Sequence, residues 1–227
     1  MFPEVLTEGY KTFLGERLPN ERRKYEALGA GQEPEVLLIG CCDSRVAPEV
    51  IFDTGPGQIF TIRNVANIVP PAEDNKGESH HGTSSALEFA VVALKVKHIV
   101  VMGHATCGGI KAAGMGSDPL SSGNYIGNWV SLVEPAKQTL AEAGDDKEKD
   151  GYLTRLEYTM IGQSLKNLMT FDFVREKVEA GELHLHGAHF GIATGELRVR
   201  DPNSGEFQPV VARDGQPLSP SALINCN

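Results

Sequence analysis

Three short apolar runs limit what this chain can fold into. They occupy residues 36–40, 58–63 and 98–103, and each is rich in Val and Ile. They are too short for helices, and the first, Val36 to Gly40, is continuous rather than alternating, the pattern of a strand buried on both faces. Residues 84–96, between the second run and the third, are almost wholly apolar and have the length of a buried helix. Strand, helix and strand at this spacing imply parallel β-α-β units. The expected fold class is therefore α/β, with a central, mostly parallel sheet flanked by helices.

The rest of the chain fits around that sheet. Residues 1–33 carry apolar side chains at helical spacing (Val5, Tyr10, Phe13, Leu14, Leu18) and predict an N-terminal helical arm that ends at Gly29-Ala30-Gly31. Residues 124–144 and 154–181 read as mostly helical, separated by a charged linker at 145–150. Residues 183–190 and 196–200, joined through Ala193-Thr194-Gly195, predict a late hairpin, and the tail after Asp201 reads as irregular. The 227 residues suit one domain, 1–227, with one sizeable core.

The ends of two strands concentrate the chemistry. Cys41-Cys42-Asp43-Ser44-Arg45 closes the first run, and His104-Ala105-Thr106-Cys107-Gly108-Gly109 closes the third. Ligands in parallel sheets bind outside the carboxyl ends of strands. Two thiolates and an imidazole converging there would hold zinc with one position free, as catalytic zinc is held; structural zinc is closed by four protein ligands. Adjacent strand residues point to opposite faces, so only one of Cys41 and Cys42 can reach the metal, and spacing does not choose between them. The other is expected to be a small buried hydrophobe. Arg45 would keep Asp43 ionised beside the open position. Ser44 reads as a turn residue.

Charge and cysteine usage exclude several classes of partner. The net charge of −9 argues against nucleic-acid or anionic-membrane binding. No apolar run is long enough to span a bilayer, and the first residues do not look like a secretory signal. Four cysteines that include an adjacent pair do not resemble a disulfide framework. They point to metal-binding thiols in a reducing compartment, and the expected location is cytoplasmic.

Taken together, Cys41-x-Asp43-Ser44-Arg45, Arg63-Asn64-Val65-Ala66-Asn67 and Gly103-His104-x-x-Cys107-Gly108-Gly109 resemble the β-class carbonic anhydrases. The resemblance runs in register from about residue 36 to 115 and returns more weakly at Trp129 and at Leu185-His186-Gly187. It implies one zinc per chain, with Cys41 rather than Cys42 as ligand beside His104 and Cys107, and Asp43 with Arg45 as the catalytic dyad. It implies reversible hydration of carbon dioxide to bicarbonate by zinc-bound hydroxide, a lyase activity. It also implies a homodimer or homotetramer in which the arm embraces a partner subunit. Phe60, Val65 and Gly108 fall at its substrate-contacting positions, and His80 stands where a plant-type subgroup has Tyr. Gly55 stands where that subgroup has a substrate-contacting Gln. One subgroup is inhibited by bicarbonate at a second site; Leu38 and Phe190 here replace its Trp and Tyr, and only Arg63 remains. The expectation is therefore an open site without such inhibition. Two alternatives stand beside this reading: a hydrolase of carbon disulfide or carbonyl sulfide on the same fold, and a non-catalytic zinc or redox-sensing thiol protein.

Overall fold

The structure, a computed structural model, describes residues 2–73, 81–116, 118, 120–211, 215, 216 and 218. It opens with α1 (Glu4–Thr12), a π-helical turn (Phe13–Arg17) and α2 (Leu18–Leu28), which together make the expected arm. No residue of either helix is buried in the chain itself.

A six-stranded sheet follows. Its strands are β1 (Val36–Cys41), then, after the short helix α3 (Pro48–Ile51), β2 (Ile59–Asn64). Next come α4 (Gly82–Glu88) and β3 (His98–His104). Helices α5 (Gly108–Met115), α6 (Tyr125–Val130), α7 (Glu134–Glu142), α8 (Tyr152–Leu168) and α9 (Asp172–Glu179) precede β4 (His184–Phe190), β5 (Leu197–Arg200) and β6 (Phe207–Pro209). The order is β2-β1-β3-β4-β5-β6. The first four are mutually parallel, and β5 and β6 add antiparallel at the edge. The fold is thus the α/β architecture that the apolar runs imply.

Three local expectations differ from the structure. The helix expected over 84–96 is α4, continued by a π-helical turn at Phe89–Ala93. The segment 154–181 is two helices, because Met169-Thr170-Phe171 break it. The tail is not wholly irregular, since Phe207–Pro209 pairs with β5. A three-residue edge strand carries too little pattern to be seen in sequence.

One core cluster lies between the sheet and α4, α8 and α9, and includes Leu37, Ile39, Leu87, Ile99, Val101, Ile161 and Val174. A second packs α5, α7 and α8 over the carboxyl ends of the strands, and Cys41 and Cys107 belong to it. Ile161 of α8 joins helix to sheet. A Cβ on Gly103 would lie 2.8 Å from its Cδ1, and one on Gly187 would lie 2.9 Å from its Cγ2. Glycine in two neighbouring strands therefore lets α8 sit close to β3 and β4. Ile161→Ala should leave a cavity at this contact and lower stability by about 2–5 kcal/mol, read from urea unfolding. Loss of less than ~1 kcal/mol would show that α8 relaxes into the space.

Candidate metal centre and active site

The chain runs from β1 to β2 on one side and reaches β3 on the other, so β1 and β3 meet at a topological switch point. Cys41 is the last residue of β1 and His104 the last of β3. Between His104 and Cys107 the backbone turns at Thr106, which sits at φ 58°. This left-handed conformation is costly for a β-branched residue, and here it brings Cys107 back toward His104. One ligand atom from each of Cys41, His104 and Cys107 lies within 4.8 Å of the others, and all three residues are buried. Cys42 is exposed, so the expectation that it is a buried hydrophobe is wrong. Once Cys41 points into the second core cluster, strand alternation turns its neighbour to solvent.

The donor set fits a soft divalent cation. His104 Nδ1 makes its hydrogen bond, 3.0 Å, to the Ala105 carbonyl, so Nε2 presents its lone pair. Nε2 is buried and has no hydrogen-bond partner; Asp43 Oδ2, the carboxylate oxygen facing it, is 4.0 Å away. The Cys107 thiol draws the Cys41 pKa down, against burial, while the same contact and burial push Cys107 up. Thiols bind a metal as thiolates, so a cation held by the pair would displace their protons. Burial works against charge on His104, but Cys41 and the Ala105 carbonyl outweigh it and hold that pKa up. The pocket is electronegative. Cys107 also caps α5, where the Ile110 and Gly109 amides favour its thiolate, and the Asp43 and Ala66 amides do the same for Cys41. A thiolate–thiolate–imidazole set with an unpaired ring nitrogen suits zinc.

The dyad stands beside it. Arg45 Nε and Nη2 donate to Asp43 Oδ1 and Oδ2 at 2.9 and 2.6 Å, and the Arg45 amide adds a bond of 3.0 Å. These bonds from Arg45 hold the Asp43 carboxyl well below the usual carboxylate range. Arg63 was expected at a lost anion site. It instead donates to the Cys41 and Asp43 carbonyls at 2.9 and 2.7 Å, tying down the segment that joins ligand to dyad.

A buried hydrogen-bond network, which sequence reasoning missed, supports the centre from below. Glu157 of α8 accepts from the Cys107 amide at 3.0 Å and contacts His189 Nε2 at 3.0 Å, both side chains being at most 5% exposed. Their sole sequence signal is a charged residue on the apolar stripe of α8.

The substrate-contacting candidates divide. Val65 packs with Cys41 and Cys107 in the second core cluster, and its carbonyl accepts from Trp129 Nε1 at 2.8 Å. Gly108 opens α5, with nothing within 4 Å of a would-be Cβ. Phe60 is paired in register with Leu37, four residues before Cys41, and packs against Phe89 at 5.9 Å. Within one chain it is not brought to the metal ligands. His80 lies outside the described residues.

Comparison with known proteins agrees with this geometry. The family model described as carbonic anhydrase matches residues 36–197. Beta carbonic anhydrase 6, mitochondrial, from Arabidopsis thaliana is 37% identical over 199 residues, covering 85% of this chain and 65% of that protein. The chain therefore spans just under two thirds of that relative's length. The solved β-carbonic anhydrase CcaA superposes with a TM-score of 0.82 at 30% identity, over 90% of this chain and 97% of that one. A tetrameric β-carbonic anhydrase from Sordaria macrospora gives 0.73 at 29% identity, over 90% and 97%.

The ligand assignment is testable by metal analysis. Cys41→Ser should lose most of its zinc, whereas Cys42→Ser, altering an exposed side chain, should keep one zinc per chain. The reverse order of metal contents would show that the wrong cysteine has been assigned.

Proposed function

The chain belongs to the β-class of the carbonic anhydrase family, and from that premise we propose that it is a carbonate dehydratase that interconverts carbon dioxide and bicarbonate. The observation that carries the proposal is the buried, unpartnered His104 Nε2, which shares a pocket with two cysteines and faces a carboxylate locked by arginine.

One zinc ion held by Cys41, His104 and Cys107 would supply the Lewis acidity that lets water lose a proton near neutral pH, more weakly than a three-histidine site because two ligands are anionic. The protein residues supply orientation. Asp43 is ionised and doubly bound by Arg45, so toward the site it can only accept. It takes a hydrogen bond from the attacking water and leaves the lone pair of that water turned toward carbon dioxide. Arg45 spends its donors on Asp43 and so holds that acceptor in one orientation. Val65 offers an apolar wall for a nonpolar substrate, and the open space over Gly108 leaves room beside the ligands. Arg63 keeps the Cys41–Asp43 backbone in place during turnover.

The arm supports a homo-oligomer. Val5 and Tyr10 are 77% and 59% exposed, and no residue of α1 or α2 is buried within the chain, so a second copy is the natural cover. Among the described residues no helix is long and apolar enough to cross a membrane. The free thiols favour a reducing compartment, and the cytoplasm remains the proposed location.

Asp43→Asn keeps the shape but replaces one acceptor oxygen with a donor. Hydration of carbon dioxide, followed by stopped flow, should fall about 10²-fold or more while zinc is retained. Near-normal turnover would make Asp43 purely structural. The pH profile gives a second check. Since Arg45 holds Asp43 ionised far below neutrality, the dyad does not titrate in the working range. Hydration should rise with pH through one apparent pKa above neutrality, as water at the site loses its proton. A rate that is flat from acid to alkaline pH would rule this chemistry out.

A further inference from the structure

We propose that His98, His184 and His186 form a second metal site, for a divalent transition ion such as Cu2+, Ni2+ or Zn2+, at the end of the sheet opposite the catalytic centre. His98 opens β3 and His184 opens β4, whereas His104 closes β3. Six residues of strand separate His98 from His104, about 20 Å at 3.3 Å per residue. The two sites are therefore distinct.

Register and alternation bring the three rings together. His98 and His184 are direct partners on adjacent parallel strands. His184 and His186 are two residues apart on β4 and project from one face, the face that carries Met102 and Ala188 further along. His98 Nδ1 lies 3.1 Å from His186 Nε2, with ring centroids 5.2 Å apart. The His184 ring stacks on His98 at 5.4 Å and 28°.

Nitrogens sharing a tetrahedral ion at 2.0–2.1 Å stand roughly 3.3 Å apart, so His98 and His186 already have nearly the spacing of two ligands. Their present contact is a hydrogen bond from ring to ring, and an ion would replace the shared hydrogen. Beyond that contact, among the described residues, no carboxylate, hydroxyl or carbonyl hydrogen-bonds to any of the three rings. His184 is exposed and supplies the third nitrogen by turning about its Cα–Cβ bond. That turn is needed, because Cys41, His104 and Cys107 are the one described trio whose ligand atoms already converge within 4.8 Å. The rings also suit a cation chemically. Burial, and then the neighbouring His98 and His184, hold His186 below the usual imidazole value, which favours the neutral ring that a metal binds. Imidazole suits zinc, copper and nickel, and copper(II) binds most strongly in the divalent series.

The test uses zinc-loaded protein and copper(II), with the zinc content measured before and after. Copper titration followed by electron paramagnetic resonance should show one ordered site per chain, with superhyperfine structure from imidazole nitrogen and no loss of zinc. His184→Asn changes an exposed ring and should weaken copper binding about tenfold or more. His98→Asn with His186→Asn should abolish the ordered signal, with circular dichroism confirming the fold. The proposal is overturned if no ordered copper signal forms, if copper enters only by displacing zinc, or if the double variant binds copper as tightly as the parent. Carbon dioxide hydration is not read in this experiment, so failure of the catalytic proposal and failure of this one remain distinguishable.

Discussion

A buried imidazole nitrogen without a partner is the constraint around which this molecule is arranged. Leaving a buried acceptor unsatisfied costs about 1–3 kcal/mol. At His104 the cost is joined by a strained Thr106 and by two buried thiols in contact with each other. All three features cluster where β1 and β3 end, and a cation held there would fill the lone pair and take both sulfurs as ligands.

The surroundings hold that arrangement in place. Cys107 occupies the N-cap position of α5, so the Gly109 and Ile110 amides of that helix lie beside the ligand and favour its thiolate. Glu157 of α8 holds the Cys107 amide and is itself held by His189 of β4. The same helix is pressed against Gly103 and Gly187 through Ile161. Arg63 binds the two carbonyls between which the chain passes from ligand to dyad. Metal ligands, their backbone donors and the packing of α8 thus form one connected structure. Removing one partner of the buried Glu157–His189 contact leaves the other polar group unsatisfied in the interior and is costly for that reason.

The parallel sheet also separates functions by direction. The carboxyl ends of β1 and β3 carry the dry, electronegative pocket. The amino ends of β3 and β4 carry imidazoles that are half-buried or exposed. Acceptors at the first end are backed by arginine and backbone amides, whereas among the described residues the rings at the second hydrogen-bond to one another. This difference in support separates a site built for chemistry from one suited to holding an ion.

Much of this was legible in the sequence because the relevant signals are local. Continuous Val- and Ile-rich runs dictate strands buried on both faces, and the helix-length run between them forces parallel connections. Cysteine and histidine at the strand ends then have to lie together, since parallel strands place equivalent ends on one edge. The Asp43–Arg45 contact is local as well, with the two residues two apart in one turn. What the sequence left open depended on contacts between distant segments. The choice of Cys41 over Cys42 is a matter of which face of β1 meets the core. The hold of Arg63 on two carbonyls, the Glu157–His189 pair across 32 residues and the ring contact of His98 with His186 across 88 exist because strand order and register bring those residues together. Periodicity along a chain reports which face is buried, but not which neighbour a buried group will find, and only the packed sheet and helices decide that.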